Sequence, residues 1–256
     1  MPALLTSLKQ MVRSQWMKLV PDKRAVWSAS PAIHVERHKL IYIPIPKVAC
    51  TSLTALCVDL LGFSLPKGSW KAGVFRGDAL DDSIDTELRD SARISTAQAS
   101  DITDHWCFAA TRNPYDRLVS CYSEKVCNQT EHKDFHGGLS KNFIIYGKFY
   151  AHMPFSKFVD AVCSIPEREA EPHFRSQHCF VTDAQGKLIP DFLCDLGEFA
   201  LLTDQIQQRT GVDVSIPHLL KSKRSSWRSH YTETLKRKVA ARYQRDFDLF
   251  GYDWNA

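Results

Sequence analysis

Twice along the chain a short apolar segment runs through a basic loop into a helix with one apolar face. In the first unit, residues 39–62, Leu40-Ile41-Tyr42-Ile43-Pro44-Ile45 has the length and β-branched content of a buried strand. Leu53, Leu56, Cys57, Leu60 and Leu61 then recur at helical spacing. Thr51 or Ser52 is placed to cap that helix and Gly62 to end it. In the second unit, residues 104–126, Trp106-Cys107-Phe108-Ala109-Ala110 predicts a strand and Thr111-Arg112-Asn113 a loop. Asn113 is a good cap, Pro114 suits the first helical position, and Tyr115, Leu118, Val119, Tyr122 and Val126 trace an apolar stripe. A repeated strand–loop–helix unit predicts an α/β domain with a mostly parallel sheet.

Other stretches are read more coarsely. Residues 68–104 are polar, with an acidic patch at Asp78, Asp81, Asp82 and Asp85, and predict a surface loop with short helices. Residues 128–148, with Gly137-Gly138, predict an excursion before a helix over 154–162. Residues 232–250 predict one helix with Leu235, Val239, Tyr243 and Phe247 on one side. Residues 1–20 mix apolar positions with Lys9, Arg13 and Lys18, without the unbroken apolar run of a signal peptide or a membrane span. They suit a helix packed on the domain or one resting on a membrane surface, and the packed helix is the commoner outcome. With no repeat and no low-complexity linker, a single domain over 1–256 is expected, residues 1–30 being an N-terminal helical extension.

Composition narrows the classes. The chain has 256 residues, 44% of them hydrophobic and 24% charged, as in an ordinary globular protein. A net charge of +4 is too small to argue for nucleic acid and fits a small polyanionic ligand. Eight cysteines show no CxxC pair and no metal-ligand spacing, so free thiols in a reducing compartment are expected, with no bound metal.

The chemistry concentrates in the two loops. Where a strand ends and a helix begins, unpaired backbone N–H groups and the positive helix end share a small space. Lys47, Thr51 and Ser52 add a charge and two hydroxyls, which makes Pro46–Ser52 a candidate phosphate or sulfate site. It is not a Walker A loop, because no GxxxxGK[ST] occurs, and a lysine on a surface turn is an equal reading by spacing alone. Arg112 lies on the same expected sheet edge and can fork onto a phosphate, with Ser120 further along its helix as a hydroxyl donor. The competing role for Arg112 is a structural pair with Asp116.

Ile45-Pro46-Lys47-Val48-Ala49-Cys50-Thr51-Ser52-Leu53 resembles the 5′-phosphosulfate loop of carbohydrate sulfotransferases. Residues 111–126, TRNPYDRLVSCYSEKV, resemble their 3′-phosphate motif. The likeness is to the chondroitin, dermatan and HNK-1 type enzymes and their bacterial relatives. It continues through Glu171-Pro172-His173-Phe174-Arg175-Ser176-Gln177 and through the closing helix at residues 243–252. It implies a three-layer P-loop-like fold with a mostly parallel central sheet flanked by helices. It also implies transfer from 3′-phosphoadenosine 5′-phosphosulfate (PAPS) to a hydroxyl of a carbohydrate or glycolipid. Lys47, Val48, Ala49, Cys50, Thr51 and Ser52 would hold the 5′ end of the donor, with Lys47 also catalytic, and Arg112 and Ser120 would hold the 3′-phosphate. The acceptor hydroxyl must lose a proton, and His173 is the first candidate base, with Glu171 and Glu198 as rivals. Without the membrane anchor of the animal enzymes, a cytoplasmic protein is expected, with at most peripheral membrane contact. A nucleotide-dependent kinase and a non-catalytic nucleotide-binding module are the alternative classes. In the basic stretch at residues 221–228, Trp227 could stack on a base or a sugar, though a solvated turn is the preferred reading.

Overall fold

The computed structural model describes residues 32–63, 93–127, 135–136, 138–216 and 226–256. The predicted N-terminal helix, the acidic patch and most of the basic stretch lie outside them.

The chain opens with β1 (Ala32–Val35), a tight 3-10 turn (Glu36–His38) and β2 (Leu40–Ile43), and then enters α1 (Cys50–Leu60). After β3 (Arg93–Ile94) and α2 (Thr96–Asp101), the second unit gives β4 (Trp106–Thr111) and α3 (Pro114–Lys125). Next come the small hairpin β5 (Phe135–His136) and β6 (Leu139–Ser140), then α4 (Lys141–Ile144), α5 (Phe155–Cys163) and α6 (His178–Val181). The chain closes with β7 (Phe192–Asp195), α7 (Phe199–Thr210), α8 (Glu233–Arg242) and α9 (Gln244–Phe250).

The main sheet has the order β3-β1-β2-β4-β7. Its centre is parallel, with Leu40 beside Trp106 and Phe108 beside Phe192, while β1 and β3 add antiparallel on one side. The predicted mixed architecture with helices flanking a mainly parallel sheet is therefore present. Because β2, β4 and β7 point the same way, the loops that follow them open at one edge, where ligands of α/β sheets bind.

Two apolar clusters hold this frame. One joins the strands to α1, α6 and α7 through Ile41, Ile43, Leu53, Leu56, Phe108, Val181, Leu202 and Ile206. The other joins α3, α5, α8 and α9 around Tyr115, Leu118, Phe158, Phe174, Val239 and Phe247. All eight cysteines are free.

Two local readings change. The cap of α1 is Ala49, not Thr51 or Ser52, because the chain turns at Ala49 through a left-handed φ of 46° and starts the helix early. The predicted helix over 232–250 is two helices broken at Tyr243. There the buried phenol donates to the Phe174 carbonyl at 2.6 Å, and the break turns Asp246 inward.

Candidate active site at the sheet edge

The loop after β2 is built mainly from backbone. Lys47 and Ala49 both have positive φ, 72° and 46°, on either side of fully buried Val48. Such a conformation costs a non-glycine residue about 1–2 kcal/mol, so the surroundings must enforce it. The loop carbonyls face the protein: Pro46 accepts from Arg117 Nε at 2.9 Å, and Lys47 accepts from Arg112 Nη1 at 3.0 Å. No side chain caps α1, whose first internal bond runs from the Leu53 amide to the Ala49 carbonyl. The amides of Cys50, Thr51 and Ser52 form its first turn, where a helix has N–H groups to offer an anion.

Arg117 explains how the loop is held. Its guanidinium is almost fully buried and also donates to the carbonyls of Arg175 at 2.7 Å and Pro172 at 3.0 Å. One side chain of α3 thus ties the Lys47 loop to the segment that carries His173. Gln177 does the same for the second loop. Its side-chain amide accepts from the Arg112 N–H at 3.0 Å and donates to the Arg112 carbonyl at 2.8 Å.

Gln177 is in turn held by α9. The buried Asp246 carboxylate accepts from the Gln177 amide at 2.7 Å, from the His178 amide at 2.9 Å and from His178 Nδ1 at 2.8 Å. Burial works against a charged His178, yet Asp246 and the neighbouring Cys179 together outweigh it and the imidazole pKa rises to about 9. Tyr252, further along, bridges Thr111 at the end of β4 and Asp195 at the end of β7.

Two of the predicted site residues, Lys47 and Arg112, bring charge here. Lys47 pairs with Glu124, whose other oxygen lies 2.7 Å from the buried Lys125 ammonium. Burial would raise the Glu124 pKa, but Lys47 and Lys125 hold it well below the usual carboxylate range. Arg112 is mostly buried and pairs with Asp116 through Nε and Nη2, both at 2.8 Å. The structural reading of Arg112 is therefore realised, and the same guanidinium donates to the Lys47 loop. Ser120 is buried on the same helix, and Ser52 in α1, while Cys50 and Thr51 are partly exposed.

His173 stands beside this group. Its Nδ1 lies 2.7 Å from Oε1 of Glu171, whose Oε2 accepts from the His173 amide at 2.8 Å. Glu171 is 1% exposed. Burial would raise its pKa, but the His173 donors and the Lys125 charge bring it below the ordinary value. A carboxylate on Nδ1 fixes the proton there and leaves Nε2 as the basic nitrogen. Burial lowers the His173 pKa; Glu171 opposes this, and Lys125 and Lys47 push it down further. The ring is consequently neutral near pH 7 and able to take a proton. Glu171 is thus the partner of His173, and Glu198 is the residue that precedes α7. Trp227 stacks on Tyr115, centroids 5.1 Å apart at 17°, and the Arg228 guanidinium lies 4.5 Å from the Trp227 ring centroid. That ring belongs to the second apolar cluster.

The sequence reading missed Lys125, Glu124, Arg117 and Asp246. Lys125 had a signal: it falls a helical repeat after Leu118 and Cys121, on the face that goes inward. Arg117, Gln177 and Asp246 act on backbone groups far away in sequence, which no local spacing reveals.

A model of the sulfotransferase family matches residues 30–253. No curated protein and no solved structure matches the chain.

Proposed function

Because the chain belongs to the sulfotransferase family, we propose that it moves the sulfuryl group of PAPS to a hydroxyl of a carbohydrate or glycolipid. The observation that carries this reading is the meeting of an uncapped helix start, Lys47 and the Glu171–His173 pair at one sheet edge.

In this reading the amides of residues 50–52, with Lys47, Thr51 and Ser52, hold the 5′-phosphosulfate. Arg112 and Ser120 hold the 3′-phosphate. PAPS supplies an activated sulfur whose bond to the phosphate oxygen breaks as the acceptor oxygen attaches. His173 Nε2 takes the proton that the acceptor hydroxyl loses, while Glu171 keeps the ring oriented. Lys47 neutralises the charge that grows on the departing phosphate. Glu124 keeps the Lys47 ammonium at the site until the donor anion competes for it. The products are adenosine 3′,5′-bisphosphate and a sulfate ester.

The reading extends to a cytoplasmic enzyme acting on a glycan or glycolipid precursor. Eight unpaired cysteines support a reducing compartment. Among the described residues no helix is long and apolar enough to cross a membrane.

Calorimetric titration with adenosine 3′,5′-bisphosphate tests the donor site. We expect saturable binding that weakens in Arg112→Ala; a folded sample that takes up no ligand would overturn the proposal.

A further inference from the structure

At the opposite end of the parallel strands a second group of side chains converges. His34 lies on β1, Glu36 in the turn that follows, and His105 immediately before β4. β2 runs between β1 and β4, and the Trp106 amide donates to the Lys39 carbonyl at 2.9 Å, which closes the strands together at this end. The two imidazoles tilt at 53° with centroids 4.7 Å apart. Their Nε2 atoms and a Glu36 oxygen all lie within 4.8 Å of one another.

Three features distinguish this group from a chance cluster. The Nε2 atoms of both histidines are buried and make no hydrogen bond, although Glu36 Oε2 lies 2.8 Å from one and 3.4 Å from the other. A buried polar atom left unsatisfied costs about 1–3 kcal/mol, so two of them call for a ligand. His105 is more than nine-tenths buried, and its Nδ1 lies 2.8 Å from Asp104 Oδ1. That carboxylate keeps the proton on Nδ1 and leaves the Nε2 lone pair directed at the group, the arrangement of carboxylate-backed metal ligands. Finally, Glu36 is largely exposed, so the third ligand can adjust and water can complete the shell.

We propose that His34, Glu36 and His105 bind a divalent transition metal ion, with zinc the best match to two imidazoles and a carboxylate. Four ligand atoms around zinc at about 2.0–2.1 Å stand about 3.3 Å apart. The present 2.8 and 3.4 Å separations need only small side-chain movements to reach that. The ion would pin the β1–β2 hairpin to the start of β4, at the far end of the sheet from Lys47, and so act on stability rather than on transfer. Sequence spacing gives no hint of it, because His105 lies far along the chain from His34 and Glu36, just before β4.

The test is titration of Zn²⁺ into chelator-treated protein, followed by calorimetry and by thermal unfolding, with Mg²⁺ as the control cation. One Zn²⁺ per chain, a raised unfolding temperature and no response to Mg²⁺ are expected. Glu36→Gln, at an exposed position that does not threaten folding, should weaken Zn²⁺ binding at least tenfold. Asp104→Asn should weaken it by about 10–100-fold. His105→Gln should abolish the site, with circular dichroism to confirm folding. A folded wild type that binds no Zn²⁺ would overturn the proposal. So would Glu36→Gln and His105→Gln variants that bind as tightly as wild type, since the ion would then sit elsewhere, for example on the free thiols.

Discussion

The two strand–loop–helix junctions share a plan but end differently. At the second, Asn113 caps α3 by accepting from the Tyr115 amide at 2.9 Å, and Gln177 occupies the backbone of Arg112. At the first, Ala49 caps nothing and two residues sit in left-handed conformations. The second junction spends its backbone groups and its cap on the protein, and only its Arg112 and Ser120 side chains enter the proposed donor site. The other leaves donors for a ligand and depends on its neighbour for shape, through Arg112 on the Lys47 carbonyl and Arg117 on the Pro46 carbonyl. Binding capacity here comes from what is withheld from the fold.

The strongest way to break this contrast is to remove the connection. Arg117→Met leaves three inward carbonyls without their donor and should destabilise the protein by about 3 kcal/mol or more, read from urea unfolding. An unchanged midpoint would mean that the loop holds its strained shape alone. Lys47→Ala removes a charge from the ligand side and leaves Glu124 with Lys125 as its partner. Sulfate transfer should fall by about 10²–10³-fold while the urea midpoint falls less than in Arg117→Met. Equal loss of stability and turnover would show that the first junction is scaffold.

Asn113→Ala should cost about 1 kcal/mol of stability, the usual value of a lost cap, with donor affinity nearly unchanged. A large affinity loss with no stability loss would reverse the assigned roles. The mildest effect near neutral pH comes from His178, which steadies Gln177 through Asp246. Its folded pKa lies near 9, above the ordinary 6.5, so its stabilisation is complete below pH 6.5 and is lost as pH rises through about 9. The urea midpoint of wild type should drift down over that window, and His178→Gln should flatten the drift.

Local signals made both junctions readable in the sequence. An apolar, β-branched run gave β2, the apolar run Trp106-Cys107-Phe108-Ala109-Ala110 gave β4, and Asn113-Pro114 placed the start of α3 where the chain places it. The start of α1 was misread because hydroxyl residues were expected to cap it. A cap residue is chosen for a satisfied helix end, and this end is unsatisfied. As candidates, Lys47 and Arg112 were legible by residue type and order, and His173 through the resemblance of residues 171–177. Their supports were not, since Arg117, Gln177 and Asp246 reach carbonyls and amides on other segments. Resemblance singled out residues 171–177 and 243–252 without giving a reason. The reason is structural as much as chemical: Glu171 orients a ring, Gln177 clamps a loop, Asp246 holds Gln177, and Tyr252 joins the ends of β4 and β7.

The Gln177 clamp has a consequence for proton exchange with solvent. Its amide makes with Arg112 the pair of contacts that a neighbouring strand would make, so a loop residue gains the protection of a sheet interior. The Arg112 amide hydrogen should exchange with deuterium as slowly as those of β4, and only when the segments from α6 and α9 open together. A single backbone proton thereby reports whether the whole edge is assembled. Only a side chain that both donates and accepts can make the pair. An ionised glutamate, nearly the same in shape, would still accept from the Arg112 amide but would set its second oxygen against the Arg112 carbonyl and loosen the clamp.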